Sequence, residues 1–193
     1  RQRDHIVRSG FFYPIDAEAI QTHCAVADHL VTAWRASSPN IVRYWSTCDL
    51  MLKYMLNGVE ADFGPLRTEK DAIRLPNGLR LAYTKLRQEG RSYAYWNGKS
   101  WLGIYGGKLA ENITQALSRI IMTDAMLLVD RELRGVSRIA LTVHDELIQV
   151  AHKDQAQAVF DRTLAIMSTG RDWYRDIPLG AEGKIAANYA EAK

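Results

Sequence analysis

The spacing of apolar residues predicts two helices at the start of the chain. Residues 16–35 carry apolar side chains at intervals of three and four, the period of an amphipathic helix, and Asp16 is a suitable N-cap. The same spacing recurs over residues 39–58, between a proline at the first helical position and a glycine at the stop. We therefore expect residues 1–60 to form a helical segment.

The pattern then changes to short alternating runs separated by turn signals. Asn77-Gly78 and Asn97-Gly98 each lie between two such runs, and Asn-Gly supplies the positive φ angles of tight hairpin turns. We predict a small antiparallel meander over residues 61–104.

Helical spacing returns over residues 108–134, where two adjacent apolar stripes predict a long helix central to the core. Two strand-like runs, 138–143 and 147–151, follow it as a hairpin. In the first run, alternation predicts that Ile139, Leu141 and Val143 point together into the core. A helix from Asp154 to about Met167 and a short strand around 177–182 complete an α+β fold.

Composition limits the class of protein. The chain has 193 residues, 47% of them hydrophobic, and no apolar run of membrane-spanning length or signal-peptide pattern. Cys24 and Cys48 have neither metal-ligand nor disulfide spacing and fall on apolar helix faces, so we expect buried, reduced thiols. A cytoplasmic protein without a membrane partner is expected. The net charge of +3 permits an acidic partner without requiring one.

Three ionisable residues, His144, Asp145 and Glu146, interrupt the apolar hairpin. We expect His144 on the face opposite the core and Asp145-Glu146 at the tip. A carboxylate on such a rigid, solvent-open turn suits Mg²⁺, which takes one or two protein carboxylates and keeps several waters. Taken alone, the triplet is explained as well by a polar β-turn, where aspartate is favoured.

The order of several segments resembles the C-terminal palm and fingers portion of family A DNA polymerases, the DNA polymerase I family, in its phage type. The segments are "WRASSPNIVRYW", "LPNGLRLAY", "YGGKLAENITQA", "VHDEL" and "DWYRDIPLGAEGKIAANY". They cover nearly the whole chain from about residue 30, in the family's order. The resemblance implies a palm-type antiparallel sheet with the HDE hairpin packed on long helices, over residues 61–193, and a helical part of the fingers before it.

The resemblance also implies roles for the triplet. Asp145 matches the aspartate of motif C that binds the catalytic divalent metals, and Glu146 matches the adjacent, less critical acid near the primer terminus. His144 matches a histidine that touches the terminal phosphate of the primer. The implied activity is template-directed nucleotidyl transfer in DNA replication, with two Mg²⁺ ions, deoxynucleoside triphosphates and primer–template DNA, in the cytoplasm of a bacterial host of phage or prophage origin.

The long helix matches the family at residues that contact DNA. Asn112 and Gln115, expected on its exposed side, resemble polar residues that reach the minor groove of the primer–template duplex. Lys108 is positioned to contact a phosphate near the helix start, although a solvated lysine explains it equally well.

Two of the family's motifs are not found in the chain. Motif A, approximately D-x-S-x-x-E, has no match. Motif B requires Arg-x-x-x-Lys before Tyr-Gly, whereas Arg91 and Lys99 are eight residues apart across a predicted hairpin turn. We therefore expect a C-terminal portion that is inactive alone and needs an upstream portion carrying motifs A and B.

Three hypotheses remain open on the sequence. The chain is a fragment or subunit of a split polymerase, a non-catalytic DNA-binding module, or an assembly protein that retains the fold. The intact HDE triplet argues against the third, because folding does not require those three groups there.

Overall fold

The computed structural model describes residues 17–90 and 92–192. It divides into two compact units, which meet in the chain between Ser46 and Thr47. The described fold mixes helices with small antiparallel sheets, in agreement with the predicted α+β class. Asp16, the expected N-cap, lies outside the described residues.

The first unit contains helix α1 (Ala17–Ser37) and the beginning of helix α2 (Pro39–Asn57). The rings of Trp34 and Trp45 stack with their centroids 5.6 Å apart. Cys24 is exposed, so its predicted burial is wrong, because helical spacing predicts an apolar face but not what covers it. Large apolar side chains of this unit are also exposed: Val26, Leu30, Val31, Ile41 and Tyr44.

The second unit begins with the remainder of α2 and two antiparallel sheets. Buried side chains recur along α2 at helical spacing: Cys48, Met51, Leu52 and Met55. The first sheet has the order β1-β2-β3-β4, with strands β1 (Asp62–Phe63), β2 (Leu66–Glu69), β3 (Ala72–Arg74) and β4 (Arg80–Ala82). The second has the order β5-β6-β7, with strands β5 (Arg87–Glu89), β6 (Ser92–Trp96) and β7 (Trp101–Ile104).

Helix α3 (Gly106–Leu133) follows directly and carries buried residues from its first turn to its last. The residue before it, Tyr105, has an extended backbone and makes no side-chain cap. Instead, Oδ1 of Asp49 on α2 accepts a hydrogen bond from the amide N–H of Gly106 at 2.6 Å. A negative side chain at this end satisfies an unpaired N–H group and complements the helix dipole.

The hairpin of β8 (Ser137–Val143) and β9 (Glu146–Ala151) packs with helix α4 (Ala156–Met167) against the second half of α3. Ala125, Val129 and Leu133 of α3 form a buried cluster with Val159 and Ile166 of α4. The hairpin covers this cluster with half-buried side chains: Ile139, Leu147 and Ala151.

A β-bulge changes the predicted alternation of β8. Ile139 pairs with Gln149 and Leu141 pairs with Ile148, so Ala140 is the extra residue. One inserted residue reverses the side to which the following side chains point. Ile139 therefore packs on the core whereas Leu141 is 43% exposed, and the prediction that both point inward is wrong.

The C-terminal segment holds a single 3-10 turn (Asp172–Tyr174) and is otherwise irregular until the short helix α5 (Tyr189–Ala192). The strand predicted around 177–182 is absent from this described segment. Pro178 has no amide N–H to give to a ladder and Gly180 weakens a strand, which explains the difference. Among the described helices, none combines the length and apolar character that crossing a bilayer demands.

The cap at the start of α3 gives a testable prediction. Asp49→Ala removes the acceptor of the Gly106 N–H and should lower the free energy of unfolding by about 1 kcal/mol, measured by urea denaturation. Asp49→Asn is the matched control, because its amide oxygen can still accept the bond. An equal loss in both variants would show that charge, and not the hydrogen bond, stabilises this end.

Candidate functional site

The tip of the β8–β9 hairpin consists of only two residues, His144 and Asp145. Val143 pairs with Glu146 and closes the turn, so Glu146 is the first residue of β9. The prediction that Asp145-Glu146 forms the tip is therefore wrong by one residue. His144 has a φ of +52°, in the left-handed region, at the first central position of the turn.

The three side chains of the triplet are all exposed. Glu146 shares a face of the hairpin with its partner Val143, and the bulge places Leu141 on this same outer face. The core-facing side chains, such as Leu147, lie on the opposite face. The turn thus presents two neighbouring carboxylates to solvent on a scaffold that is anchored from behind.

This acidic turn offers few ligands for a metal ion. Among the residues that the structure describes, no group of three or more His, Cys, Asp or Glu side chains is arranged to hold a metal. Asp145 fits the requirement of Mg²⁺ for one or two protein carboxylates beside water. The described residues therefore fit part of a Mg²⁺ site.

Helix α3 contacts the backbone of the turn through Arg119. Its guanidinium Nη1 donates to the carbonyl oxygen of His144 at 3.4 Å, a long hydrogen bond between exposed groups. This contact places a positive charge beside the backbone of the turn that carries the two carboxylates.

The expected DNA-contacting residues Lys108 and Gln115 lie exposed along α3. Both contact the same acid: Lys108 Nζ lies 2.7 Å from Oε2 of Glu111, and Gln115 Nε2 donates to Oε1 at 3.3 Å. Glu111, Gln115 and Arg119 recur every four residues, so they follow one another along a face of the helix that leads to the HDE turn.

Asn112 differs from this expectation, because it is half-buried. Its Nδ2 donates to the hydroxyl oxygen of Tyr83 at 3.0 Å. Tyr83 is only 2% exposed, and burial raises its pKa to about 12, while the hydrogen bond from Asn112 acts in the opposite direction. The prediction that Asn112 lies on the exposed side is wrong, because its side chain is half-buried and its hydrogen bond to Tyr83 ties the helix to the loop after β4.

Sequence reasoning missed three residues that hold α3 or contact the HDE turn: Arg119, Tyr83 and Asp49. The four-residue spacing from Gln115 was a usable signal for Arg119. Asp49 and Tyr83 act on α3 from 57 and 29 residues away in sequence, and no local pattern indicates such pairs.

The left-handed backbone of His144 leads to a stability prediction. His144→Val places a β-branched residue at φ +52° and should destabilise the chain by about 1–2 kcal/mol relative to His144→Gly, and more than His144→Ala does. His144→Gly should be at least as stable as His144→Ala, because glycine adopts this conformation freely. Urea denaturation of the three variants measures the order, and equal stability of Val and Ala would contradict it.

Burial of Tyr83 leads to a pH prediction. Its folded pKa of about 12 lies above the ordinary value of 10.0, so its stabilising contribution is complete below pH 10 and is lost as pH rises through 12. Tyr83→Phe should flatten the decline of unfolding free energy in that window relative to the unmodified chain. A parallel decline in wild type and Tyr83→Phe would refute the assignment.

Comparison with known proteins found similarity to the DNA polymerase of Bacillus phage SP02. The two sequences are 29% identical over 177 residues, which cover 83% of this chain and 26% of that polymerase. The chain therefore spans about a quarter of its relative's length. No family model matches the chain, and no solved structure matches it. The similarity supports a relationship to DNA polymerases.

Proposed function

We propose that this chain is the C-terminal palm portion of a family A DNA polymerase and contributes the motif C side of its nucleotidyl-transfer site. The observation that carries the proposal is the exposed pair of carboxylates, Asp145 and Glu146, at the anchored tip of the β8–β9 hairpin. The similarity to a phage DNA polymerase over most of the chain supports it independently.

Asp145 supplies one carboxylate ligand for Mg²⁺ in this proposal, and Glu146 lies beside the primer terminus. When bound, the two Mg²⁺ ions of a complete site activate the attacking hydroxyl and stabilise the leaving group. A second aspartate must come from another portion of the polymerase, because the described residues hold no further acid grouped with this turn.

Primer–template DNA lies along the exposed face of α3. Lys108 and Arg119 are eleven residues apart, or about 16 Å along the helix axis. Cationic residues at both ends of this face suit a phosphate backbone, and Gln115 between them offers hydrogen bonds to base edges. His144 at the turn contacts the terminal phosphate of the primer. On DNA binding, Lys108 leaves its ion pair with Glu111 and contacts a phosphate. Asn112 contacts the minor groove through the atoms of its amide that are not bonded to Tyr83.

The upstream portion with motifs A and B packs on the helices of the first unit. Five exposed apolar side chains of α1 and α2, together with Trp34 at 46% exposure, support this part of the proposal. Exposed apolar residues that are scattered over a surface are ordinary. Val26, Leu30 and Trp34, however, lie on consecutive turns of one helix and form a contiguous exposed stripe. Deoxynucleoside triphosphates bind where the two portions meet, in the cytoplasm of the bacterial host.

A second candidate function is duplex binding without catalysis. The observation that favours it is the single pair of carboxylates at the turn. Two-metal catalysis needs further acidic ligands, and the described residues group none with this pair. This candidate predicts salt-sensitive affinity for primer–template DNA that is independent of Mg²⁺.

Primer extension tests the proposal. We expect no extension by the chain alone, and extension when it is combined with the part of the Bacillus phage SP02 polymerase that the similarity does not cover. Asp145→Asn should lower the complemented rate on the order of a hundredfold or more, because it removes a metal-binding charge. Glu146→Gln should lower it less.

Asp154→Asn is the matched control, since Asp154 is an exposed acid close in sequence whose partner is His152. Full activity of Asp145→Asn would exclude its role as a metal ligand. Salt-sensitive duplex binding by the chain with no complementation by the SP02 portion would favour the second candidate.

A further inference from the structure

A cluster of aromatic rings lies on one face of the β5-β6-β7 sheet. Trp96 and Trp101 are cross-strand partners with ring centroids 5.7 Å apart and an edge-to-face angle of 61°. Arg87 is on the same face, because its partner Ala94 is two residues from Trp96 on β6. The guanidinium carbon of Arg87 lies 3.5 Å from the centre of the Trp101 ring, a cation–π contact.

Small residues separate these rings from a further aromatic side chain. Ala94 pairs with Gly103, and the extended backbone beyond β7 brings Tyr105 back to the same face. Trp101 and Tyr105 are four residues apart, or about 13 Å along the strand direction, with Gly103 between them. Gly103, which is exposed, thus lies between two rings that are 38% and 64% exposed, whereas its partner Ala94 is buried.

Two exposed lysines lie close along the backbone to the tryptophan end of this face. Lys99 lies in the loop that joins Trp96 to Trp101. Lys85 is also near this end, because the amide of Trp96 donates to the carbonyl oxygen of the preceding Thr84 at 2.8 Å. Glu89 is the acid of the face and pairs with Arg87. Three cations against one acid favour an anionic ligand.

A purely structural role explains only part of this arrangement. A cross-strand aromatic pair stabilises a hairpin, which accounts for the contact of Trp96 with Trp101. It does not account for an exposed Tyr105 or for a glycine at an exposed central position of β7, where glycine weakens a strand.

We propose that this face of the β5-β6-β7 sheet is a binding site for single-stranded nucleic acid. Bases stack on Tyr105 and on the part of the Trp101 ring that Arg87 leaves exposed, the strand passes over Gly103, and Arg87, Lys85 and Lys99 neutralise phosphates. Exposed aromatic rings beside cations are the recurrent means of binding single strands without sequence preference. The site lies on the sheet that precedes α3, adjoins the proposed duplex-binding face where Tyr105 is near Lys108, and does not depend on catalytic activity.

Fluorescence anisotropy with a labelled oligothymidylate tests the proposal on the full chain at low salt. Trp101→Ala should weaken binding about five- to 150-fold, the range expected from the loss of one base–aromatic stack. Leu102→Ala is the matched control, because Leu102 is 40% exposed on the opposite face of the same strand. It should bind as the unmodified chain does.

Gly103→Val provides a second test that removes no ring. Its φ is not in the left-handed region, and an added Cβ meets only the carbonyl oxygen of Tyr93 at 4.0 Å, so the fold should tolerate it. The valine side chain should occupy the space above residue 103 through which the strand passes. It should weaken binding by at least about fivefold, with an unchanged circular dichroism spectrum.

Three results would overturn the proposal. One is unchanged oligothymidylate affinity in both Trp101→Ala and Gly103→Val. Another is equal binding of an abasic oligomer of the same length, which would leave charge alone as the cause. The third is binding of a proline-rich peptide at this face, lost in Trp101→Ala, without binding of the oligothymidylate.

Discussion

Burial of helix α3 along its whole length is the constraint on which the second unit depends. Its 28 residues extend about 42 Å, and its first half is tied to α2 and to the loop after β4 through Asp49 and Tyr83. Its second half forms the core shared with the β8–β9 hairpin and α4. The exposed face that remains runs from Lys108 to Arg119, so the hairpin tip and the proposed DNA-contacting residues are fixed by one rigid element.

Local periodicity was sufficient to predict the helices and the approximate position of the hairpin, because these depend on the spacing of apolar residues. It was insufficient where one residue alters the pattern. The inserted Ala140 turns Leu141 outward, and Cys24 lies on an apolar stripe that is nevertheless exposed. Alternation predicts which residues share a face, but neither a bulge nor the presence of a covering surface is encoded in it.

For the candidate site, the residue types of the HDE triplet were enough to predict an acidic turn. The exact tip residues and the burial of neighbouring side chains could not be predicted from them. The identity of the two tip residues depends on the pairing of Val143 with Glu146, which is a matter of register. The half-burial of Asn112 depends on a tyrosine 29 residues earlier. Both are long-range or turn-specific properties, and they decide which side chains are available to a ligand.

The bulge at Ala140 also bears on the solubility of the chain. Within the described residues, β8 and β9 form a two-stranded sheet, and apart from the bridge between Ser137 and Arg134 each has an edge with unpaired backbone groups. A long, flat edge of this kind is a template for fibril-like association with another copy. The extra residue kinks β8 and shortens the stretch that a second strand could follow. Deleting Ala140 would straighten that edge and make the hairpin prone to aggregation.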